Sequence, residues 1–271
     1  MTYQKPAREG NLKMATKKPT NKEMNTELHI TPLRQQSVTL RMIGSTPLYF
    51  NSMSAKAKRD LLIGAQRKTA AEKKTIKHNP EKEFRSSVYE QDKGDTLLCF
   101  PAAAVKAAMA QAALETDGIN KTTVQKLVFM PQQHINIWGK PYLKMDVVRS
   151  ADKKATPDIR TRAFLPNWAA EVEVKYIHPA LSVHSVVNLL QNAGAIIGIG
   201  DYRQEKGKGG FGSFTVGTDK DEEFNAMWQD IVSENRAVQE EAMANPVAYD
   251  QDTANLMKEI IEERVRRDQA A

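Results

Sequence analysis

The sequence has a single cysteine, Cys99, among its 271 residues. No intrachain disulfide can therefore form, and a zinc site built on cysteine ligands is excluded. The chain also lacks any run of about 18 consecutive apolar residues, and its first residues contain no apolar core like that of a secretory signal. We therefore expect a cytoplasmic protein in a reducing compartment.

Catalytic motifs are equally scarce in this sequence. The five histidines show neither an H-E-x-x-H pattern nor another close ligand spacing, so a bound metal is not expected. Cys99 lies in an apolar segment without a basic neighbour, which favours a buried thiol over a nucleophile. The hydrophobic fraction of 41% and the charged fraction of 27% are those of a packed domain. We predict a binding protein that is not an enzyme and needs no cofactor.

The net charge of +6 is unevenly distributed along the chain. Residues 1–90 carry 18 Lys and Arg against 8 Asp and Glu, whereas residues 219–271 carry 6 against 14. A basic front with an acidic tail predicts a surface for a polyanion, plus a segment that meets a basic partner or a neighbouring subunit. Ordinary solvated surface charge is the alternative interpretation.

The sequence pattern divides the chain into three parts. Residues 1–30 have too few apolar side chains to pack and are predicted to be a flexible basic arm. Residues 31–217 alternate between strand and helix patterns and are predicted to form one α+β nucleic-acid-binding domain. Residues 218–271 are predicted to be an acidic extension of two amphipathic helices broken near Asn245 and Pro246. Their apolar faces could fold back on the chain's own sheet or dock on the next subunit.

Local signals within the middle part place several elements. Alternation over residues 37–43 predicts the first strand, and Ser54 is a predicted cap for a helix whose apolar patch is Leu61 and Leu62. The charged stretch up to Asp95 is typical of a functional or disordered insertion. Further strands are predicted for DTLLCF and GSFTV, and helices for the alanine-rich stretch after Pro101 and for residues 182–194. Two hairpins are predicted, one turning at Gly139 and the other joining residues 158–164 to 169–177.

A glycine-rich stretch, Ala195 to Gly217, is the most informative motif, with six glycines between Gly198 and Gly212. Glycines leave backbone amides uncrowded, so a phosphate chain can approach them closely. Arg203, Lys206 and Lys208 add positive charge. A nucleotide-binding Rossmann turn is disfavoured, because here the glycines follow a helix and open a strand. The alternative is a glycine-rich hairpin with solvated cations.

A second basic run lies between two predicted strands and precedes Phe164 and Trp168. Cations that hold phosphates beside aromatic faces that stack bases are what a single-strand groove requires. The alternative places both aromatic side chains in the core. The candidate cations of this run are Arg149, Lys153, Lys154, Arg160 and Arg162.

The order helix, Gly198-Ile199-Gly200, basic loop, Gly210-Phe211-Gly212 and strand resembles the glycine-rich loop of the repeat-associated mysterious protein (RAMP) superfamily. Weaker similarity extends over residues 37–217, including Thr46-Pro47-Leu48 and Phe100-Pro101-Ala102-Ala103. The resemblance implies a modified ferredoxin-like (RNA-recognition-motif-like) antiparallel fold that coats a guide RNA. The nucleic-acid contacts that it implies are Arg203, Lys206, Lys208, the backbone of Gly209 and Gly210, and a track through Arg41, Lys73, Lys74, Lys77 and Arg85.

Three functions follow from this resemblance. The first is a backbone subunit of a CRISPR effector, assembled head to tail into a filament or ring with other effector subunits. The second is a phage single-stranded DNA-binding or annealing protein that works with replication subunits. Some relatives cleave RNA with a histidine or a loop aspartate, so an endoribonuclease using His78, Asp152 or Asp158 is the third.

Overall fold

The structure is a computed structural model that describes residues 31–64, 76–149, 156–206, 209–218 and 220–269, without the side chains of Lys56 and Lys206. The predicted arm at residues 1–30 lies outside the described residues. The strands are β1 (Arg34–Gly44), β2 (Leu48–Tyr49), β3 (Tyr89–Glu90), β4 (Leu98–Pro101), β5 (Val128–Phe129), β6 (His134–Trp138), β7 (Tyr142–Arg149), β8 (Pro157–Leu165), β9 (Ala169–His178) and β10 (Phe214–Gly217).

The helices alternate with these strands and then close the chain. They are α1 (Ala55–Ile63), α2 (Pro80–Ser86), α3 (Ala102–Ala112), α4 (Lys121–Leu127), α5 (Val183–Ile196), α6 (Glu222–Val232), α7 (Arg236–Ala244) and α8 (Gln251–Gln269), with a short 3₁₀ helix at Gln204–Lys206.

Two antiparallel sheets organise the fold. The large sheet has the strand order β10-β1-β9-β6-β4-β3, with β5 also paired to β9. The small sheet has the order β2-β8-β7. The prediction of a mixed α+β protein with antiparallel sheets is therefore confirmed.

Alternation along the central strands of the large sheet creates the core. Leu40 and Met42 of β1 are buried on one face, and Val172, Val174 and Tyr176 of β9 are buried beside them. Helices α3 and α5 pack on each other within the same apolar cluster. The predicted inward faces of both strands are confirmed.

Both predicted hairpins are wrong, although their strands exist. β6 pairs with β4 and β9 in the large sheet, whereas β7 pairs with β8 in the small one. The chain leaves the large sheet at Gly139, whose amide donates to the Glu234 carbonyl (3.3 Å), while the Lys140 amide donates to the Glu234 carboxylate (2.8 Å). Glu234, almost a hundred residues away, therefore accepts from the amides of Gly139 and Lys140 at the point where a hairpin turn was predicted.

The charged stretch before Asp95 is not a plain insertion. It contains α2, which begins behind the Asn79 side chain and has Pro80 in its first turn. Phe84 of this helix is fully buried. By contrast, Leu61 and Leu62 of α1 are 75% and 85% exposed, so the predicted apolar patch of that helix has no cover within the described chain.

The end of one helix differs from expectation, and another helix packs through only some of its alanines. α5 runs past Gly194 to Ile196. Gly194 does not end the helix but packs so closely on β10 that an added Cβ would lie 2.1 Å from the Phe214 carbonyl oxygen. In α3, Ala103 and Ala107 are exposed, and the close packing comes from Ala102, Ala108 and other alanines.

The C-terminal extension contains three helices, with breaks at residues 233–235 and near Pro246. Phe224, Trp228 and Ile231 of α6 pack against Ile43 and Trp138 of the large sheet. Leu256 and Ile260 of α8 pack on the main core. These faces fold back on the chain's own sheets, which is the first of the two alternatives that the sequence left open.

Candidate nucleic-acid interface

The small sheet has one apolar and one polar face. Leu143 and Met145 of β7 point into the core with Ala163 of β8. The opposite side, here called the polar face, therefore carries the residues in between. Register places these residues in cross-strand pairs, which are Tyr142 with Phe164, Lys144 with Arg162, and Asp146 with Arg160.

Arg162 is the centre of the polar face. Its guanidinium bonds to Asp146 (3.1 Å) and Asp201 (2.6 Å), and it lies over the rings of Tyr49 (4.6 Å) and Tyr202 (4.8 Å). The side chain is only 3% exposed. The expectation that Arg162 contacts a ligand is corrected, because a buried guanidinium with two carboxylate partners holds the fold together. It ties the glycine-rich loop to the small sheet.

Glycine geometry positions that loop. Gly212 has a φ of +72°, and an added Cβ would lie 1.7 Å from the Ile199 carbonyl oxygen. Its amide donates to the Pro47 carbonyl (2.8 Å), which fixes the loop beside β2. Gly209 is equally confined, because an added Cβ there would lie 1.7 Å from the Tyr202 carbonyl oxygen. At Gly210 an added Cβ would have no protein atom within 4 Å. The fold itself therefore requires glycine at Gly209 and Gly212, whereas at Gly210 no protein atom would meet an added side chain.

Aromatic rings gather where the loop meets the polar face. Phe211 packs edge-on against Tyr49 (4.9 Å between centroids), and Phe164 packs on Tyr249 (4.4 Å). Phe164 is buried, as Trp168 is, so the core alternative applies to both. Tyr202 and Phe211 are half-buried and Tyr249 is 42% exposed, so the cluster presents ring surface to solvent.

A cleft of about 480 Å³ opens at the edge of β8 beyond its short pairing with β2. At Ala163 the main-chain groups of this edge still have partners. The carbonyl accepts from the Phe50 amide (3.0 Å), and the amide donates to Ser87 Oγ (2.8 Å). Because main-chain groups alternate in direction along a strand, the amide and carbonyl of Thr161 point the same way. Thr161 lines the cleft, is 5% exposed, and has a hydroxyl that makes no hydrogen bond within the described part of the chain.

Two basic runs meet at this cleft, the first in the charged stretch before Asp95 and the second running from the end of β7 into β8. Lys77, from the first run, contacts the carboxylate of Asp158 on β8, and exposed Arg160 lines the same cleft. His78 lies between Glu83 (3.1 Å) and Asp158 (3.3 Å). Both imidazole nitrogens thus face carboxylates, an arrangement that positions the ring and does not present it to a substrate.

The cleft adjoins the glycine-rich loop. Asn51, on the cleft wall, donates from Nδ2 to Asp201 (3.0 Å), which also binds Arg162. Within the loop, Arg203 pairs with Glu205 (2.9 Å) and donates to the Gly200 carbonyl (3.3 Å). The polar face, the loop and the cleft therefore form one continuous surface.

Several ionisable groups on this surface have displaced pKa values. The Lys144 hydrogen bond lowers the pKa of Asp250 to about 2, and the Lys77 hydrogen bond lowers that of Asp158. Burial, helped by the charge of Asp146, raises the pKa of Tyr49. Away from the surface, burial raises the pKa of Cys99 to about 11, which fits the predicted inert thiol.

Three predicted cations lie apart from this surface or at its margin. Arg41 pairs with Glu171 (3.5 Å) and lies over Trp228 on the large sheet. Arg85 donates to the last carbonyls of α7, those of Met243 (2.9 Å) and Ala244 (2.8 Å), so it caps a helix. Arg149 is exposed at the end of β7. The predictions for Lys73, Lys74, Asp152, Lys153, Lys154 and Lys208 fall outside the described residues, as does the side chain of Lys206.

Sequence reasoning missed Tyr49, Tyr202, Tyr249 and Asp201 as members of the surface. An aromatic ring beside the Thr46-Pro47-Leu48 motif and another inside the glycine-rich stretch were the available signals. Among the described residues there is no group of three or more His, Cys, Asp or Glu side chains arranged to hold a metal ion. No helix in the described ranges is long and apolar enough to cross a membrane.

Comparison with known proteins gives a likeness to solved structures alone. No family model matches the sequence, and no curated protein matches it. The crystal structure of Cmr6 from Pyrococcus furiosus is similar at a TM-score of 0.36 and 11% identity, over 68% of this chain and 98% of that chain. A TM-score of this size does not establish a shared fold.

Proposed function

We propose that the protein binds single-stranded nucleic acid on the surface formed by the polar face, the glycine-rich loop and the cleft. The observation that carries this proposal is one continuous surface that contains both partly exposed aromatic rings and cations from separate parts of the chain. Tyr249 and Phe211 offer ring faces, while Arg160 and Lys77 lie beside the open edge of β8. Rings can stack bases while cations and free amides hold phosphates.

The role is one of binding and not of catalysis. The ring nitrogens of His78 already face Glu83 and Asp158, so the histidine expected for an endoribonuclease lacks a nitrogen directed at a ligand. The glycine-rich loop, which resembles that of RAMP proteins in sequence, supports a ligand of the nucleic-acid class. A guide-coating CRISPR subunit with a modified ferredoxin-like fold, or a phage single-strand-binding protein, is the finer form of this proposal.

The test is a binding titration with fluorescent single-stranded RNA and DNA, followed by anisotropy at several salt concentrations. We expect Lys77→Ala combined with Arg160→Ala to weaken binding of every sequence and to reduce the slope of log K against log salt by up to about 1.4, at about 0.7 for each phosphate contact with a single strand. The matched control is Lys93→Ala with Lys126→Ala, which removes equal charge from two exposed positions outside the surface. A wild-type protein that binds neither single-stranded RNA nor single-stranded DNA would refute the proposal. Equal losses of affinity in both double variants would show that the binding site is not at this surface.

A further inference from the structure

Strand β1 has a long edge that no described strand covers. β9 pairs with β1 from Arg34 to Ile43, but on the other side β10 reaches only Arg41 to Gly44. Residues 34–40 are therefore paired on one side alone. The side chains of this stretch are exposed, except Val38, which is half-buried, and Leu40, which is buried.

The direction of each main-chain group on this edge follows from one hydrogen bond. The Gly44 amide donates to the Trp168 carbonyl (2.9 Å), on the β9 side. Because bonded and non-bonded positions alternate in an antiparallel ladder, every second residue before Gly44 also bonds to β9. Gln35, Ser37 and Thr39 consequently point their amides and carbonyls outward, which gives six groups that can pair.

Protein sheet edges are normally protected against pairing by lysine, proline, a bulge or a covering segment. The open stretch has one charged residue, Arg34 at its end, and the rest of it, Gln35 to Leu40 (QQSVTL), contains no charged residue, proline or glycine. From Gln35 to Leu40 it is thus a neutral edge, suited to pairing with another strand of similar length.

We propose that this edge pairs with the same edge of a second copy, around a two-fold axis at Ser37. In that register Ser37 faces its own copy and Gln35 faces Thr39, so all outward groups meet outward groups and form six hydrogen bonds. Arg34, the charged residue of the stretch, meets Leu40 of the second copy, so no like charges are opposed. The open edge runs from Arg34 to Leu40, and Ser37 is its midpoint.

This dimer goes beyond nucleic-acid binding and differs from a head-to-tail assembly. A two-fold contact uses the same patch on both copies and closes, whereas a head-to-tail contact leaves both ends open. The edge belongs to the large sheet, and the proposed binding surface belongs to the small sheet and its loop. The two proposals can therefore fail separately.

The experiment is sedimentation equilibrium of the full chain without nucleic acid. We expect a monomer–dimer equilibrium in the wild type, and a dissociation constant raised at least about tenfold by Ser37→Lys and by Ser37→Asp, since like charges then face each other across the axis. An equimolar mixture of the two variants should regain dimer, because opposite charges now meet. Thr122→Lys, which adds the same charge at an exposed site on α4, is the control.

The melting temperature of each variant shows that it is folded. Because the Ser37 side chain is exposed, a folded monomer is the expected product of either substitution. A wild-type protein that stays monomeric at all concentrations would overturn the proposal. So would Ser37 variants that dimerise like the wild type, or a mixture that does not recover dimer.

Discussion

Gln239 of α7 offers the sharpest test of how the C-terminal extension stabilises the fold. Its fully buried amide donates from Nε2 to the carbonyls of Ile137 (2.8 Å) and Gly139 (3.1 Å), and its Oε1 accepts from the amides of Leu97 (2.9 Å) and Leu98 (3.0 Å). One side chain therefore joins the start of β4 to the end of β6 through four hydrogen bonds.

Replacing Gln239 with Leu should cost about 3–6 kcal/mol of unfolding free energy. Four backbone groups lose their partner, and each buried group left unsatisfied costs about 1–3 kcal/mol. The estimate stays below the full sum, because Leu97 is half-buried and water can reach it. Since domains of this size are stable by about 5–15 kcal/mol, the variant should be folded but much weaker.

Urea unfolding followed by tryptophan fluorescence measures this loss directly. The midpoint should fall while the m-value stays the same, since the surface exposed on unfolding is unchanged. Gln229→Leu on the exposed side of α6 is the matched control and should shift the free energy by less than about 0.5 kcal/mol. A loss under about 1 kcal/mol for Gln239→Leu would refute the reasoning.

Two further predictions concern the glycine-rich loop and pH. Gly212→Val should prevent folding, because of the positive φ and the 1.7 Å approach to Ile199, whereas Gly210→Val should melt like the wild type, and equal melting of both would contradict the loop geometry. Asp250 has its pKa lowered to about 2, so its ion pair with Lys144 stabilises the fold above the ordinary carboxyl pKa and is lost as pH falls towards 2. The stability difference between wild type and Asp250→Asn should shrink over that pH range, and a constant difference would exclude the linkage.

The sequence identified most strands and helix starts correctly, because these depend on local rules. Alternation marked β1 and β9, and Ser54 and Ser182 cap the helices predicted behind them. Strand pairing could not be predicted in the same way. β6 and β7 follow each other around Gly139 like a hairpin, yet the pairing depends on partners almost a hundred residues away, such as Glu234.

The candidate site shows the same division between local and distant information. Basic runs in the sequence contain Arg160 and Lys77, which the structure places beside one cleft, and their contact with nucleic acid stays a prediction. Composition gave no means of distinguishing them from Arg162, which is buried by partners on other elements, Asp146 and Asp201. Burial of an arginine is a property of the assembled tertiary structure.

Ion pairing on the proposed surface also decides what kind of binding to expect. Lys77 contacts Asp158, Lys144 contacts Asp250, and Arg203 pairs with Glu205. A phosphate must compete with a carboxylate at each of these cations, so fewer counterions are released than the count of lysines and arginines suggests. Ring stacking, at about 1–3 kcal/mol per base, should then supply a large share of the affinity. In the proposed titration, the wild-type salt slope should therefore correspond to only a few phosphate contacts. A slope that corresponds to as many phosphate contacts as there are cations in the basic runs would contradict binding at this surface.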